Sequence, residues 1–162
     1  MGKQVKSKHL SVTEVQTFRS LELLHIDLMG PARVLSLGGK RYILVVVDDF
    51  TRYTWVVLLR DKAEAFKKMI HLCKKLQVEK GTVIARIRSD HGREFENTKL
   101  ATFCNDQGMH QEFSSPKTPQ QNGIVERKNR IVQEMARVMP HNKKMSKSFW
   151  GEVINTACHT HN

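Results

Sequence analysis

Five short runs of apolar and β-branched residues constrain the fold of this chain most strongly. Three of them come early and close together, at Leu21–Leu28, Tyr42–Asp48 and Tyr53–Leu59. Each is bounded by turn-forming residues, such as Gly30 and Pro31 after the first run. Connections of these lengths favour an antiparallel meander of three strands.

Beyond the meander, helix-type and strand-type segments alternate. Apolar residues at three- and four-residue spacing predict a helix over Lys62–Lys80, with Asp61 as its cap and Gly81 as its end. The later predicted elements are a strand over Val83–Ser89, a helix over Thr98–Gln107, a strand over Met109–Phe113, a helix over Ile124–Met139 and a last helix from about Lys147. The order β-β-β-α-β-α-β-α-α predicts an α/β fold with a mixed five-stranded sheet and helices on both faces.

The 162 residues suffice for one domain with a core. Residues 1–18 are polar and basic and are predicted to form a linker or arm, with the domain over residues 19–162. We expect the last helix to be cut short at Asn162. No apolar run is long enough to cross a bilayer, and the Lys-rich start of the chain does not resemble a signal peptide.

Charge and cysteine content narrow the class of function. The formal net charge of +11 and the pI of about 9.8 predict a polyanionic partner, with nucleic acid as the first choice. The three cysteines are far apart and form no C-x-x-C pair, so we expect buried, reduced thiols rather than disulfides or a zinc site.

Three carboxylates lie where a sheet of this order would bring side chains together. Asp27 closes the first strand-type run, Asp90 follows the fourth, and Glu126 lies one turn into a later helix. If the first and fourth strands are parallel neighbours, both aspartates leave the sheet at the same edge. Acids placed in this way can hold two divalent cations on a phosphodiester. Asp48 and Asp49 also end a strand, but we expect them to cap the turn or pair with a neighbouring arginine.

The segment around Glu126 offers groups suited to a nucleic-acid backbone. At helical spacing, the face of Glu126 also carries Arg130, Gln133 and Arg137. The polar stretch before it, Ser114–Gly123, reads as a mobile loop beside the site. The predicted DNA contacts are Gln120, Gln121, Asn122, Arg127, Lys128, Arg130, Gln133 and Arg137. A solvated helix face and a plain connecting loop are the alternatives.

Ordered motifs resemble the catalytic core of retroviral and retrotransposon integrases. They are Gly30-Pro31 soon after Asp27, Val47-Asp48-Asp49-Phe50-Thr51-Arg52, Ser89-Asp90-His91-Gly92-Arg93-Glu94-Phe95, and Thr118-Pro119-Gln120-Gln121-Asn122-Gly123-Ile124-Val125-Glu126-Arg127. The 35 residues between the second aspartate and the glutamate match the D,D-35-E signature of that family. Similarity to the copia-type branch comes from Val125-Glu126-Arg127-Lys128-Asn129-Arg130 and Phe149-Trp150-Gly151-Glu152-Val153-Ile154-Asn155-Thr156-Ala157.

The resemblance implies a ribonuclease H-like fold in which Asp27, Asp90 and Glu126 are both the catalytic and the metal-binding triad. It implies two Mg²⁺ (or Mn²⁺) ions per site and an enzyme that inserts retrotransposon DNA into target DNA by attack of a 3′-hydroxyl on a phosphodiester, with end processing where water attacks. The implied partners are the element ends, the target DNA and further copies of the chain, at least as a dimer. Neither a membrane nor a small-molecule substrate is expected. The implied location is the nucleus, with a stage in a cytoplasmic particle.

Two other functions are compatible with these residues. The first is another ribonuclease H-like nuclease or a transposase, which a preference for RNA–DNA hybrids over DNA ends would indicate. The second is a catalytically inert DNA-binding or dimerisation remnant, which a failure to bind Mn²⁺ would indicate.

Overall fold

The structure is a computed structural model that describes residues 16–114, 123–124, 126–131, 134 and 146–162. Several sequence predictions lie outside these residues. They are most of the arm at 1–18, the loop contacts Gln120, Gln121 and Asn122, the helix contacts Gln133 and Arg137, and the end of the helix predicted over Ile124–Met139.

A five-stranded mixed sheet forms the centre of the molecule. Its strands are β1 (Leu23–Met29), β2 (Tyr42–Asp48), β3 (Thr54–Leu59), β4 (Arg86–Ser89) and β5 (His110–Phe113), in the spatial order β3-β2-β1-β4-β5. The first three strands pair antiparallel, whereas β4 pairs parallel with both β1 and β5. The predicted mixed sheet is confirmed, and so is the parallel pairing of the first and fourth strands.

Several strand boundaries differ from the predictions by one to three residues, and strand pairing explains the two differences that bear on the site. β1 continues to Met29 because its last residues pair with β2, so Asp27 lies within the strand rather than closing it. β4 begins at Arg86 rather than Val83 because its parallel pairing with β1 starts there, and the Val83 side chain is largely exposed.

The helices lie close to where the sequence predicts them. They are α1 (Glu64–Lys80), α2 (Thr98–Gln107), α3 (helical residues 123–124, 126–131 and 134) and α4 (Trp150–His161), which a 3₁₀ turn at Lys147–Phe149 precedes. The prediction that Asp61 caps α1 is wrong, because Asp61 accepts a hydrogen bond from the Ala63 N–H and the helix begins at Glu64. Left-handed Gly81 and Gly108 end α1 and α2 as predicted.

Helices cover both faces of the sheet. On one face, buried residues of α1 and α2 pack against β1, β2 and β4, as Met69, Leu100 and Ile26 illustrate. On the other face, Ile154 of α4 and Ile124 of α3 pack against the second core of the sheet. Because side chains alternate along a strand, Asp27 shares this second face with Met29.

Two further expectations concern the interior and the membrane. Cys73, Cys104 and Cys158 are buried and unpaired, as predicted, and burial raises the pKa of the Cys73 thiol to about 12. Across the described ranges, no helix has the length and apolar character that a bilayer crossing requires.

Gly30 directly follows the last residue of β1, and we expect a side chain at this position to destabilise the fold. Its φ is +124°, and a Cβ there would lie 2.7 Å from the Arg41 carbonyl oxygen. We expect Gly30→Ala to lower the free energy of unfolding by about 2–4 kcal/mol, since strain and backbone overlap add. Gly39→Ala is the matched control: its φ is +72° with open space around it, so a cost of about 1 kcal/mol is expected. Equal urea-unfolding midpoints for the two variants would contradict this reading.

Candidate active site

Asp27 is a partly buried carboxylate on the face of β1 that α3 and α4 cover. Its Oδ1 accepts a hydrogen bond from the Leu28 N–H at 2.9 Å, and its Oδ2 accepts one from the Asn129 side-chain amide. Burial, together with the negative charges of Asp90 and Glu126, raises the pKa of Asp27 to about 6 against the two hydrogen bonds, which lower it. This carboxylate therefore lies in an environment that disfavours its own charge.

Asp90 directly follows the last residue of β4, at the sheet edge where β1 also ends. Its Oδ1 accepts a hydrogen bond from the Gly92 N–H at 3.0 Å, which orients the carboxylate. Phe95, which is buried in the core, anchors the turn that follows. Gly92 leaves room for two carboxylates: a Cβ there would lie 2.9 Å from Asp90 Oδ1 and 2.5 Å from Glu94 Oε2, so both side chains would have to shift.

Glu126 is an exposed residue of α3 whose charge reaches Asp27. The described part of the chain therefore brings both Asp90 and Glu126 into electrostatic range of Asp27. No described Lys, Arg or His lies within ion-pairing distance of any of them. Within the same residues, no three His, Cys, Asp or Glu side chains are gathered tightly enough to hold a metal ion. The acids are neighbours, but their carboxylates do not converge.

Asn129 is a site residue that the sequence reasoning passed over. It is buried, with only 8% of its surface exposed, and its amide donates to Asp27. Its Oδ1 is also buried and has no hydrogen-bond partner among the described residues. A buried amide oxygen without a donor is costly, so it marks a position that suits a water or another donor. The signal was available in the sequence, since Asn129 follows Glu126 by one helical turn.

The basic residues of α3 divide into two groups. Arg127 and Arg130 are exposed, and Arg127 Nε donates to the Gly123 carbonyl at 3.1 Å. Lys128 is half-buried: burial lowers the pKa of its ammonium, and the positive charge of Arg52 lowers it further. The two arginines are therefore open to solvent, whereas Lys128 is turned toward the body of the domain.

Asp48 and Asp49 have structural partners, as expected. Asp48 Oδ2 accepts a hydrogen bond from the Thr51 hydroxyl at 2.7 Å and so caps the β2–β3 turn. Asp49 Oδ1 lies 2.8 Å from Nε2 of the buried His25 and 3.6 Å from the Arg52 guanidinium. Burial opposes ionisation of Asp49, but the hydrogen bonds outweigh it and hold its pKa below the usual value.

Comparison with known proteins points to one family. The protein-family model described as "Integrase core domain" matches residues 19–119. The chain is 35% identical to the Retrovirus-related Pol polyprotein from transposon TNT 1-94 of Nicotiana tabacum over 158 residues, which is 98% of this chain and 12% of that protein. The chain thus spans about a tenth of the length of the curated relatives it matches.

Solved structures share the fold. The magnesium-bound catalytic core of HTLV-2 integrase in its trimeric form superposes with a TM-score of 0.62 at 18% identity, over 86% of this chain and 84% of that one. The dimeric form of the same core gives a TM-score of 0.63 at 18% identity, over 87% and 86% of the two chains. At this identity, the likeness establishes a ribonuclease H-like fold.

The family match covers more than half of the chain, including Asp27 and Asp90. The relative in tobacco extends the similarity through α3 and α4 to almost every residue. An integrase core domain implies polynucleotidyl transfer during DNA integration. The chain therefore belongs to the integrase core domain family.

Proposed function

We propose that this domain is a metal-dependent DNA strand transferase, with Asp27, Asp90 and Glu126 as its catalytic triad. The observation that carries the proposal is the raised pKa of Asp27, to which Asp90 and Glu126 both contribute. Strands and a helix distant in sequence bring three acids together without a described basic residue to neutralise them. Such an arrangement costs stability and is typical of a site that works with a cation.

The donor set fits Mg²⁺ or Mn²⁺. Carboxylate oxygens are the ligands these hard cations prefer, and Asp27, Asp90 and Glu126 would hold two of them. The buried Asn129 Oδ1, which has no donor among the described residues, would accept a hydrogen bond from a water at this site. When bound, the ions would polarise the attacking and leaving oxygens of an in-line displacement.

The chain's own groups would position these acids and the substrate. The Leu28 N–H and the Asn129 amide hold both oxygens of Asp27, and the Gly92 N–H orients Asp90. The attacking group would be the 3′-hydroxyl of an element end in strand transfer, or water in end processing. The exposed Arg127 and Arg130, next to Glu126, would contact the phosphates on either side of the reacting one.

The partners we propose are the element ends, the target DNA and a second copy of the chain at least. The net charge of +11 supports the polyanionic partner. The dimeric and trimeric forms of the HTLV-2 core support self-association. Because DNA integration acts on chromosomes, we propose a nuclear site of action, after a stage in a cytoplasmic particle.

Removing one acid of the triad should abolish the reaction. We expect Asp90→Asn and Glu126→Gln each to slow Mg²⁺-dependent strand transfer, or its reversal on a branched DNA, by more than about 100-fold. A metal ligand supplies several kcal/mol of transition-state stabilisation, and each 1.36 kcal/mol is a factor of ten.

Two matched variants control for this experiment. Asp106→Asn removes an exposed aspartate of α2, and Glu134→Gln removes an exposed glutamate of α3. Both should react at the rate of the unmodified chain. Undiminished rates in folded Asp90→Asn or Glu126→Gln would refute the triad, and failure to bind Mn²⁺ by calorimetry would favour an inert DNA-binding module.

The free energy of unfolding of the metal-free domain should depend on pH because of Asp27. Its pKa of about 6 in the fold exceeds the ordinary value of 3.8, so the proton is held more tightly in the folded state. Its stabilising contribution is complete below about pH 4 and is lost as the pH rises through 6. Asp27→Asn should therefore gain about 1–2 kcal/mol in free energy of unfolding over the unmodified chain between these pH values.

Urea unfolding in EDTA from about pH 4 to pH 8 measures this difference. Mg²⁺ at about pH 7.5 should stabilise the unmodified chain and leave Asp27→Asn unchanged, because only the former binds the ion. A stability difference that stays constant with pH would show that Asp27 does not titrate in this range.

Asn129 should act on the reaction through Asp27. Asn129→Leu keeps a similar volume but removes the hydrogen bond that lowers the pKa of Asp27. We expect Mg²⁺ affinity and strand transfer to fall about 10–100-fold. The acidic midpoint of the pH–rate profile should move to higher pH. A lower rate with an unmoved midpoint would assign Asn129 a purely structural role.

A further inference from the structure

An ion pair lies beside Asp90 that the proposed mechanism does not use. Lys62 belongs to the connection between β3 and α1, and its Nζ lies 2.8 Å from Oε1 of Glu94. Glu94 belongs to the turn after β4. Two connections from distant parts of the chain therefore meet at the sheet edge that carries the acids.

The Lys62–Glu94 ion pair lies close to the Asp90 carboxylate. A single Cβ position on Gly92 would lie within 3 Å of both Glu94 Oε2 and Asp90 Oδ1. Glu94 thus presents one oxygen toward the Asp90 turn and the other to Lys62. The hydrogen bond to Glu94 and the negative charge of Glu94 raise the pKa of the Lys62 ammonium, and Tyr42 and Asp90 also raise it. The ammonium therefore stays charged.

The exposure of the two partners is unequal. The Glu94 side chain is 18% exposed, whereas the Lys62 side chain is 52% exposed. An ammonium carries three N–H donors, and Lys62 uses one of them on Glu94. Its remaining donors have no partner among the described residues, and its charge lies within electrostatic range of Asp90.

We propose that Lys62 binds a DNA phosphate next to the reacting one and that Glu94 is the positioning residue that holds its ammonium there. This inference rests on the proposed function, because it needs DNA at the acids. It adds a contact from the β3–α1 connection, an element separate from the basic residues of α3. The ion pair by itself is a weak stabiliser, as half-exposed pairs are.

Salt dependence separates this role from a structural one. We expect Lys62→Met to weaken binding of a fluorescently labelled DNA duplex about 3–10-fold in Mg²⁺. The slope of log K against log salt should become shallower by about 0.9, the value for one phosphate contact. Lys62→Arg keeps the charge and should keep the slope.

The chain offers a matched control on α1, the helix that follows Lys62. Lys75 of α1 pairs with Glu79 at 3.7 Å and is 62% exposed, but it lies in the later part of α1, away from the acids. Lys75→Met should leave the slope and the strand-transfer rate unchanged. If Lys62→Met and Lys75→Met behave alike while the unmodified chain binds DNA and transfers strands, the role of Lys62 is refuted and the proposed function stands. If the unmodified chain does neither, the proposed function itself fails.

A double-mutant cycle tests the part assigned to Glu94. Glu94→Gln removes a negative charge, so charge alone would strengthen DNA binding. If Glu94 acts by placing Lys62, Glu94→Gln should instead slow strand transfer about 3–10-fold, and the double variant should be no slower than Lys62→Met. Additive losses, or a faster Glu94→Gln variant, would overturn the positioning role.

Discussion

The parallel pairing of β1 with β4 is the constraint on which the rest of the structure depends. Its register joins Leu23 to Arg86 and His25 to Arg88, so the two strands reach the same edge together. The backbone hydrogen bonds of the ladder hold Asp27 and Asp90 side by side, although their charges repel. Without that ladder, two acids far apart in sequence would have no reason to meet.

Holding the acids close together lowers the free energy of unfolding, and packing elsewhere in the fold compensates for this loss. Both faces of the sheet are packed with apolar side chains, and these two cores supply the stability that the site gives up. Small polar contacts then determine the orientation of each acid: two donors for Asp27 and one for Asp90. Around Asp90, Lys62 places a positive charge, paired with the negative charge of Glu94, at the rim of an otherwise acidic centre.

Much of the fold could be predicted because the apolar spacing and the turn residues of the sequence agree with the environment of each element in the folded domain. The apolar spacing of α1 and α2 matches their buried faces, and Gly81 and Gly108 end these helices with left-handed backbones. The errors lie at boundaries, where pairing rather than propensity decides. Asp27 lies inside β1 because Leu28 and Met29 find partners on β2, and no local pattern specifies that.

For the site, the sequence alone determined the identity and spacing of the acids and the basic character of the chain. The motifs around them indicated the family. Only the tertiary structure decided which groups surround each acid. Asn129 contacts Asp27 across 102 residues of sequence. Lys62 contacts Glu94 across 32 residues of sequence. Such contacts depend on how strands and helices pack, because burial and charge act through space and not along the chain.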